Sequence, residues 1–162
     1  MTATETTNEP AADREVIITR VIDTPARFLF LAYSRADYVK RWFGPKGWPL
    51  TTCEMDFRVG GKFRFGMTGP EGNAGPPFGA EYLEIVPNKK IVYDNGFDGA
   101  PKMLLTISFD EIDGSRTRLT IHTLFPTVAM KNEHVGYGYV VGIESGLDQF
   151  ADFVAELQAG ER

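Results

Sequence analysis

The chain has few side chains of the kinds that carry out covalent or metal chemistry. One Cys and two His are too few for a four-ligand Cys/His zinc site, and no internal disulfide can form. Cys53 has no histidine near it in sequence, so a small buried residue is a better interpretation than a nucleophile. His122, in RTRLTIHTLF, alternates with Leu119 and Ile121, which favours a surface role over that of a catalytic base. No metal and no cofactor are therefore expected.

Glu81 is the carboxylate best placed for acid–base chemistry. It lies in GAEYLEIVP, and if Leu83 and Ile85 point into the core, Glu81 does so as well, where apolar surroundings would raise its pKa. His134, in KNEHVGYGY, is better interpreted as solvated than as part of a lid. The sequence has neither a G-x-S-x-G nucleophile elbow nor a glycine-rich phosphate loop. No catalytic residue is assigned, and Glu81 and His122 are the two candidates considered for such a role.

Composition and length exclude several classes of protein. The 17 basic and 22 acidic residues give a net charge of −5, which argues against a nucleic-acid partner. No apolar stretch is long enough to insert into a membrane, and the polar start does not resemble a secretory signal. An unpaired Cys favours a cytoplasmic location. A chain of 162 residues suits one domain, expected over 14–160, after a disordered tail over 1–13.

Aromatic residues are the most informative part of the composition. The chain has 12 Phe, 6 Tyr and 2 Trp, more large rings than a small domain needs to fill a dry core. For any one ring, core packing is the simpler interpretation, but aromatic walls suit a pocket for a flat or apolar ligand. The residues predicted to bind such a ligand are Trp42, Phe43, Trp48, Phe63, Phe65, Met67, Phe78, Glu81, Tyr93, Leu105, Ile107, Phe125, Tyr139, Ile143, Leu147 and Phe150.

Two short helices and a series of strands must position these side chains. Thr24 is expected to cap a helix that begins at Pro25. Ser34 and Asp37 resemble a capping box that starts a second helix, which a Gly-Pro pair ends. Segments rich in β-branched and aromatic residues predict strands at 14–22, 51–57, 62–68, 78–86, 90–95, 103–110 and 117–125.

A long helix is predicted over residues 138–157. Apolar residues recur there at intervals of four and three, as in an amphipathic helix: Ile143, Leu147, Phe150, Val154 and Leu157. The short connections between the strands favour an antiparallel sheet. The order of elements predicts an α+β helix-grip fold, in which a curved seven-stranded antiparallel sheet, two short helices and the long C-terminal helix enclose a hydrophobic cavity.

Several segments resemble, in order and spacing, those of one known family. They are REVIITRVIDTPARFLFLAYSRADYVKRWFGPKGW, DFRVGGKFRF, GAEYLEIVPNKKIVY, ISFDEIDGSRTRLTIHT and GIESGLDQFADFV. The resemblance is to the activator of heat-shock-protein-ninety ATPase homologue-like family, within the SRPBCC superfamily that shares the START and birch-allergen fold, and it covers residues 14–157. It implies a helix-grip fold with a hydrophobic cavity and supplies no catalytic residue. Many relatives have Gly-Trp at the start of the last helix, where this chain has Gly142 and Ile143.

Three functions are compatible with these observations. The leading hypothesis is a non-catalytic protein that binds a hydrophobic, aromatic or polyketide-like small molecule in its cavity. An alternative is a cyclase or hydrolase that uses Glu81, His122 or a tyrosine as acid or base. Co-chaperone binding follows from the family name alone and is disfavoured, because the eukaryotic activator has an additional domain that a chain of this length cannot hold. A homodimer is compatible with the resemblance, but no local signal requires one.

Overall fold

Seven strands and four α-helices follow one another in the described residues, 9–96 and 101–160, of a computed structural model. In chain order they are β1 Glu15–Ile22, α1 Ala26–Ser34, α2 Ala36–Trp42, β2 Leu50–Met55, β3 Lys62–Met67, β4 Phe78–Val86, β5 Lys90–Asp94, β6 Leu104–Asp113, β7 Arg116–Leu124, α3 Val128–Gly136 and α4 Tyr139–Gly160. A 3-10 turn, Ala11–Asp13, precedes β1. Residues 1–8 of the predicted tail lie outside the described part of the chain.

All seven strands pair in one antiparallel sheet with the order β1-β7-β6-β5-β4-β3-β2. Strands β2 to β7 form a continuous meander because short turns join most of them, while β1 pairs with the last strand. Helix α4 packs against α1, α2 and β1. The predicted α+β helix-grip fold, with its seven-stranded antiparallel sheet, is confirmed.

The apolar stripe of α4 faces the sheet, as its spacing predicted. Leu147, Phe150 and Val154 are at most 2% exposed, and Ile143 and Leu157 are partly buried against the same core. Complete burial of one such side chain stabilises the fold by about 1.5–3 kcal/mol. This stripe therefore holds α4 over the sheet.

The predicted N-terminal caps of the two short helices are wrong. The α1 helix begins at Ala26, whose N–H donates to Glu111 Oε1 at 3.0 Å, so a carboxylate from β6 takes the place expected for Thr24. Ser34 ends α1 and donates from Oγ to the Leu31 carbonyl at 2.7 Å, rather than capping α2. Both predictions failed because capping groups can come from a residue distant in sequence, and because a Ser hydroxyl can also bond within the preceding turn.

Helix α3 was not predicted. Thr127 caps it by accepting from the Met130 N–H at 3.1 Å, but none of its residues is fully buried. A helix with no buried apolar stripe lacks the pattern on which sequence prediction depends.

A β-bulge in β4 changes which side chains face the core. Tyr82 pairs with Tyr93 and Glu84 with Val92, so Leu83 is an extra residue in the strand. Ala80 and Tyr82 are buried before the bulge, and Ile85 packs against the core after it. Residues 81 and 85 therefore lie on opposite faces, although they are four positions apart.

Candidate functional site

A cavity of about 730 Å³ lies between the inner face of the sheet and the helices. Every helix and all strands from β3 to β7 contribute to its wall. The lining residues are Tyr33, Trp42, Phe43, Gly44, Pro45, Phe63, Met67, Pro76, Phe78, Tyr93, Asn95, Met103, Leu105, Ile107, Ile121, Met130, His134, Tyr137, Gly138, Tyr139, Gly142, Ile143, Gly146 and Leu147. Its volume is within the range of about 300–1,000 Å³ that is typical of small-molecule sites.

Aromatic rings form the wall near the end of α2. Tyr33 and Trp42 meet edge to face with centroids 4.8 Å apart, and Phe43 stacks near Phe78 at 6.0 Å. The Trp42 indole N–H donates to the buried Ala32 carbonyl at 3.1 Å, which fixes the ring. The wall is thus a set of interlocked rings with a fixed orientation.

Glycines allow the loop after α2 to approach both α4 and β3. Gly44 has φ +95°, and a Cβ there would lie 2.8 Å from Met67 Sδ and 2.9 Å from the Trp48 carbonyl oxygen. A Cβ on Gly146 would lie 3.4 Å from the Gly44 carbonyl oxygen. Gly44 therefore meets both a backbone and a steric requirement. This explains why glycine stands between Phe43 and Pro45, directly after α2.

Four tyrosines line the cavity: Tyr33, Tyr93, Tyr137 and Tyr139. Tyr139 Oη is 2.8 Å from Thr123 Oγ1. Burial raises the pKa of Tyr139 to about 12, although the Thr123 hydrogen bond lowers it. Burial also raises the pKa of Tyr33 and of Tyr93 well above the ordinary tyrosine value. These groups therefore keep their protons at neutral pH.

His134, which was interpreted as solvated, is partly buried and lines the cavity. Its Nδ1–H donates to the Met130 carbonyl at 3.0 Å, and its ring lies 5.1 Å from that of Phe125 and 5.9 Å from that of Tyr139. The sequence did not indicate this position on the wall because α3, which carries His134, has no recognisable apolar pattern.

The structure brings most of the predicted binding residues together around the cavity. Those that line it are Trp42, Phe43, Phe63, Met67, Phe78, Tyr93, Leu105, Ile107, Tyr139, Ile143 and Leu147. Other lining residues were not predicted, among them Tyr33, Met103, Ile121, Met130 and the glycines. Met103 and Ile121 belong to predicted strands. The alternation of side chains along those strands could have indicated that both residues point towards the cavity.

Trp48, Phe65, Phe125 and Phe150 do not line the cavity, contrary to prediction. Phe65 stacks on Phe63 at 4.3 Å, and Phe150 packs against Trp42 at 4.6 Å. Phe125 is fully buried behind the His134 ring. Trp48 packs instead over the loop after β3, where it would contact a Cβ at Gly69. Phe65, Phe125 and Phe150 support the wall from behind. Sequence cannot distinguish such a supporting ring from one that lines the cavity.

Glu81 and His122 lie on the outer face of the sheet. Glu81 stands between the buried Ala80 and Tyr82, so it points away from the cavity. His122 Nε2 is 2.8 Å from Glu15 Oε2. Neither residue lines the cavity, so Glu81 does not point into it as its strand position had predicted. The prediction assumed that residues 81, 83 and 85 share one face of β4. The bulge at Leu83 breaks this alternation.

Within residues 9–96 and 101–160, no three His, Cys, Asp or Glu side chains cluster in a way that could hold a metal ion. No helix in these ranges combines the length and apolar character needed to cross a bilayer.

The sheet, the long C-terminal helix and the cavity between them define a helix-grip protein of the SRPBCC superfamily. The sequence model of one family, described as activator of Hsp90 ATPase homolog 1-like protein, matches residues 23–155. The chain belongs to this family, as the resemblance indicated.

Solved structures of similar fold come from several bacteria. A protein from Nitrosomonas europaea superposes with a TM-score of 0.83 at 23% identity, covering 91% of this chain and 98% of its own. One from Arthrobacter aurescens has a TM-score of 0.80 at 23% identity, with coverages of 95% and 93%. One from Chromobacterium violaceum has a TM-score of 0.70 at 27% identity, with coverages of 85% and 95%. No curated protein matches the chain.

Proposed function

We propose that this protein binds a hydrophobic, aromatic or polyketide-like small molecule in its cavity and does not convert it chemically. The observation that carries the proposal is the cavity itself, with its volume of about 730 Å³ and its wall of aromatic and aliphatic side chains. An apolar molecule of drug-like size that enters it would remove most of its surface from water, which favours binding.

The positions of Glu81 and His122 argue against either residue acting as acid or base on a molecule in the cavity. Glu81 and His122, the two candidates for such chemistry, lie on the outer face of the sheet. A general acid or base works best when its pKa is near the working pH. Burial raises the pKa of Tyr33 and Tyr93 far from neutrality, which makes these cavity groups poor proton-transfer catalysts.

Thermal denaturation with a panel of apolar compounds tests the proposal. A ligand present at about 100 times its Kd stabilises the folded state by about 2.7 kcal/mol, which corresponds to a rise in Tm of roughly 5–10 °C for a chain of this size. Native mass spectrometry of protein purified from its host would detect a ligand that remains bound. No Tm shift across a broad aromatic and lipid panel, together with no co-purified mass, would contradict the proposal.

A further inference from the structure

The cavity wall carries no charged counter-ion among the described residues. Its lining includes no Asp, Glu, Lys or Arg, and its titratable side chains are tyrosines and His134. A charged group transferred from water into such surroundings would lose hydration without gaining a partner of opposite charge. The wall therefore favours a ligand without net charge.

Two tyrosine hydroxyls at this wall, that of the buried Tyr93 and that of the partly buried Tyr33, lack a hydrogen-bond partner among the described residues. Tyr93 is only 7% exposed and lines the cavity, as does Tyr33, yet neither hydroxyl makes a hydrogen bond to any residue in 9–96 or 101–160. Tyr139, in contrast, is paired with Thr123. Because buried polar groups are normally hydrogen-bonded, an unpaired hydroxyl at a cavity wall indicates a partner that arrives with the ligand.

The protonation state of these groups determines what that partner can be. Burial raises the pKa of both tyrosines, and that of Tyr93 is raised further because Tyr33 and Tyr139 lie close enough for ionised hydroxyls to repel one another. Each hydroxyl therefore stays protonated and can donate a hydrogen bond to an acceptor.

We propose that the ligand is an uncharged, mainly apolar molecule with a carbonyl oxygen, and that the Tyr93 hydroxyl donates a hydrogen bond to this oxygen, with Tyr33 lining the same region. The proposal rests on the function proposed above and adds the chemical class of the ligand. The rings of the wall accommodate the apolar body, and Tyr93 orients the molecule through its one polar group.

Two pairs of probes that differ only in a carbonyl group test this assignment. Benzophenone is compared with diphenylmethane, and the longer 4-benzoylbiphenyl with 4-benzylbiphenyl, by displacement of an environment-sensitive dye. In each pair the ketone replaces a methylene, so shape and apolar area change little. The wild-type protein is expected to bind the ketone about 2- to 10-fold more tightly, the ratio that one net hydrogen bond supplies.

The Tyr93→Phe variant removes the proposed donor and keeps the ring. It should lose the preference for ketones while binding the methylene compounds as the wild type does. Tyr82→Phe is the matched control, because Tyr82 is a buried tyrosine outside the lining of this cavity, and it should keep the preference. Since the Tyr93 hydroxyl has no hydrogen-bond partner in the described part of the chain, the Tm of ligand-free Tyr93→Phe should be no lower than that of the wild type.

A third comparison tests whether the cavity prefers an uncharged ligand. Methyl 4-benzoylbenzoate, which is neutral, should bind at least 10-fold more tightly than the 4-benzoylbenzoate anion at pH 7. Tighter binding of the anion would overturn the assignment of an uncharged ligand.

The outcomes separate this inference from the function on which it rests. If ketones and methylene compounds bind equally well, or Tyr93→Phe keeps the preference, the carbonyl assignment is wrong while cavity binding stands. A lower Tm of ligand-free Tyr93→Phe would also overturn it, because the hydroxyl would then have a structural partner. If none of the probes and none of the wider apolar panel binds, the proposed function fails and the inference fails with it.

Discussion

Gln149 shows how a single side chain can hold the cavity wall in place. From α4, its Nε2 donates to the Trp42 carbonyl at 3.1 Å and to the Gly44 carbonyl at 2.7 Å. Trp42 ends α2, and both carbonyls belong to the short segment that lines the cavity. One amide group thus satisfies backbone acceptors at a helix C-terminus and joins α2 to α4.

Replacing Gln149 by Met should therefore destabilise the protein. Met has a similar length but cannot donate to the two carbonyls, and partly buried acceptors left without partners cost about 1–3 kcal/mol. Chemical denaturation measures this loss as a change in the free energy of unfolding. Gln158→Met, on the same helix, is the control, because the Gln158 side chain makes no hydrogen bond to the described residues. Equal stability of the two variants would show that the Gln149 bonds contribute little.

At the scale of elements, the junction of α3 and α4 combines a sharp turn with part of the cavity rim. Gly138 separates the two helices with φ +93°, and its carbonyl accepts from the Gly142 N–H at 2.8 Å in the first turn of α4. Tyr137, beside it, is 84% exposed. Because residues other than glycine rarely adopt this φ, the angle between α3 and α4 depends on glycine at this position.

Two glycine substitutions should therefore have opposite effects on stability. No atom would lie within 4 Å of a Cβ at either Gly136 or Gly138, so steric clashes do not contribute. Gly138→Ala should lower the free energy of unfolding by about 1–2 kcal/mol because of its positive φ. Gly136→Ala, at the end of α3, should raise it by about 0.4–1 kcal/mol because the unfolded chain loses entropy. Urea denaturation of both variants measures these changes in the free energy of unfolding. A stabilising effect of Gly138→Ala would show that the positive φ does not restrict the residue at this position.

At the scale of the whole molecule, the cavity is a consequence of how the sheet and α4 meet. The stripe of α4 packs tightly near Phe150 and Val154, which are 0% exposed, whereas residues one or two turns earlier, Ile143 and Leu147, border the cavity. The same helix therefore closes the core at one end and leaves a ligand-sized volume at the other.

Filling this volume from α4 should abolish binding without unfolding the protein. Ile143→Trp replaces an aliphatic side chain at the wall with a larger indole ring, which gains apolar contacts inside the cavity. We expect its ligand-free Tm to equal or exceed that of the wild type, and the Tm shift with apolar ligands to disappear. Val141→Trp is the control, because Val141 lies on the same helix but is 74% exposed, so ligand-induced shifts should persist. Unchanged shifts in Ile143→Trp would place the ligand elsewhere.

The local elements could be predicted well from sequence because their signals are local. Strand β7 alternates buried and partly exposed residues, and α4 carries its apolar stripe at helical spacing. The bulge at Leu83 could not be predicted, because nothing in GAEYLEIVP distinguishes a regular strand from one with an extra residue. Because of that extra residue, Ile85 packs against the core although Glu81, four positions earlier, faces outward. Helix α3 was missed for the related reason that its pattern is weak.

The amino-acid sequence by itself determined the fold class, the family and the pool of aromatic residues from which the cavity wall is built. The tertiary structure alone decided which of these rings line the cavity and which support it. Phe63 faces the cavity while Phe65, two residues later on the same strand, packs behind it. The physical reason is that burial periodicity is a property of one segment, whereas a cavity is the volume left between segments that are distant in sequence. Its shape depends on how their side chains meet.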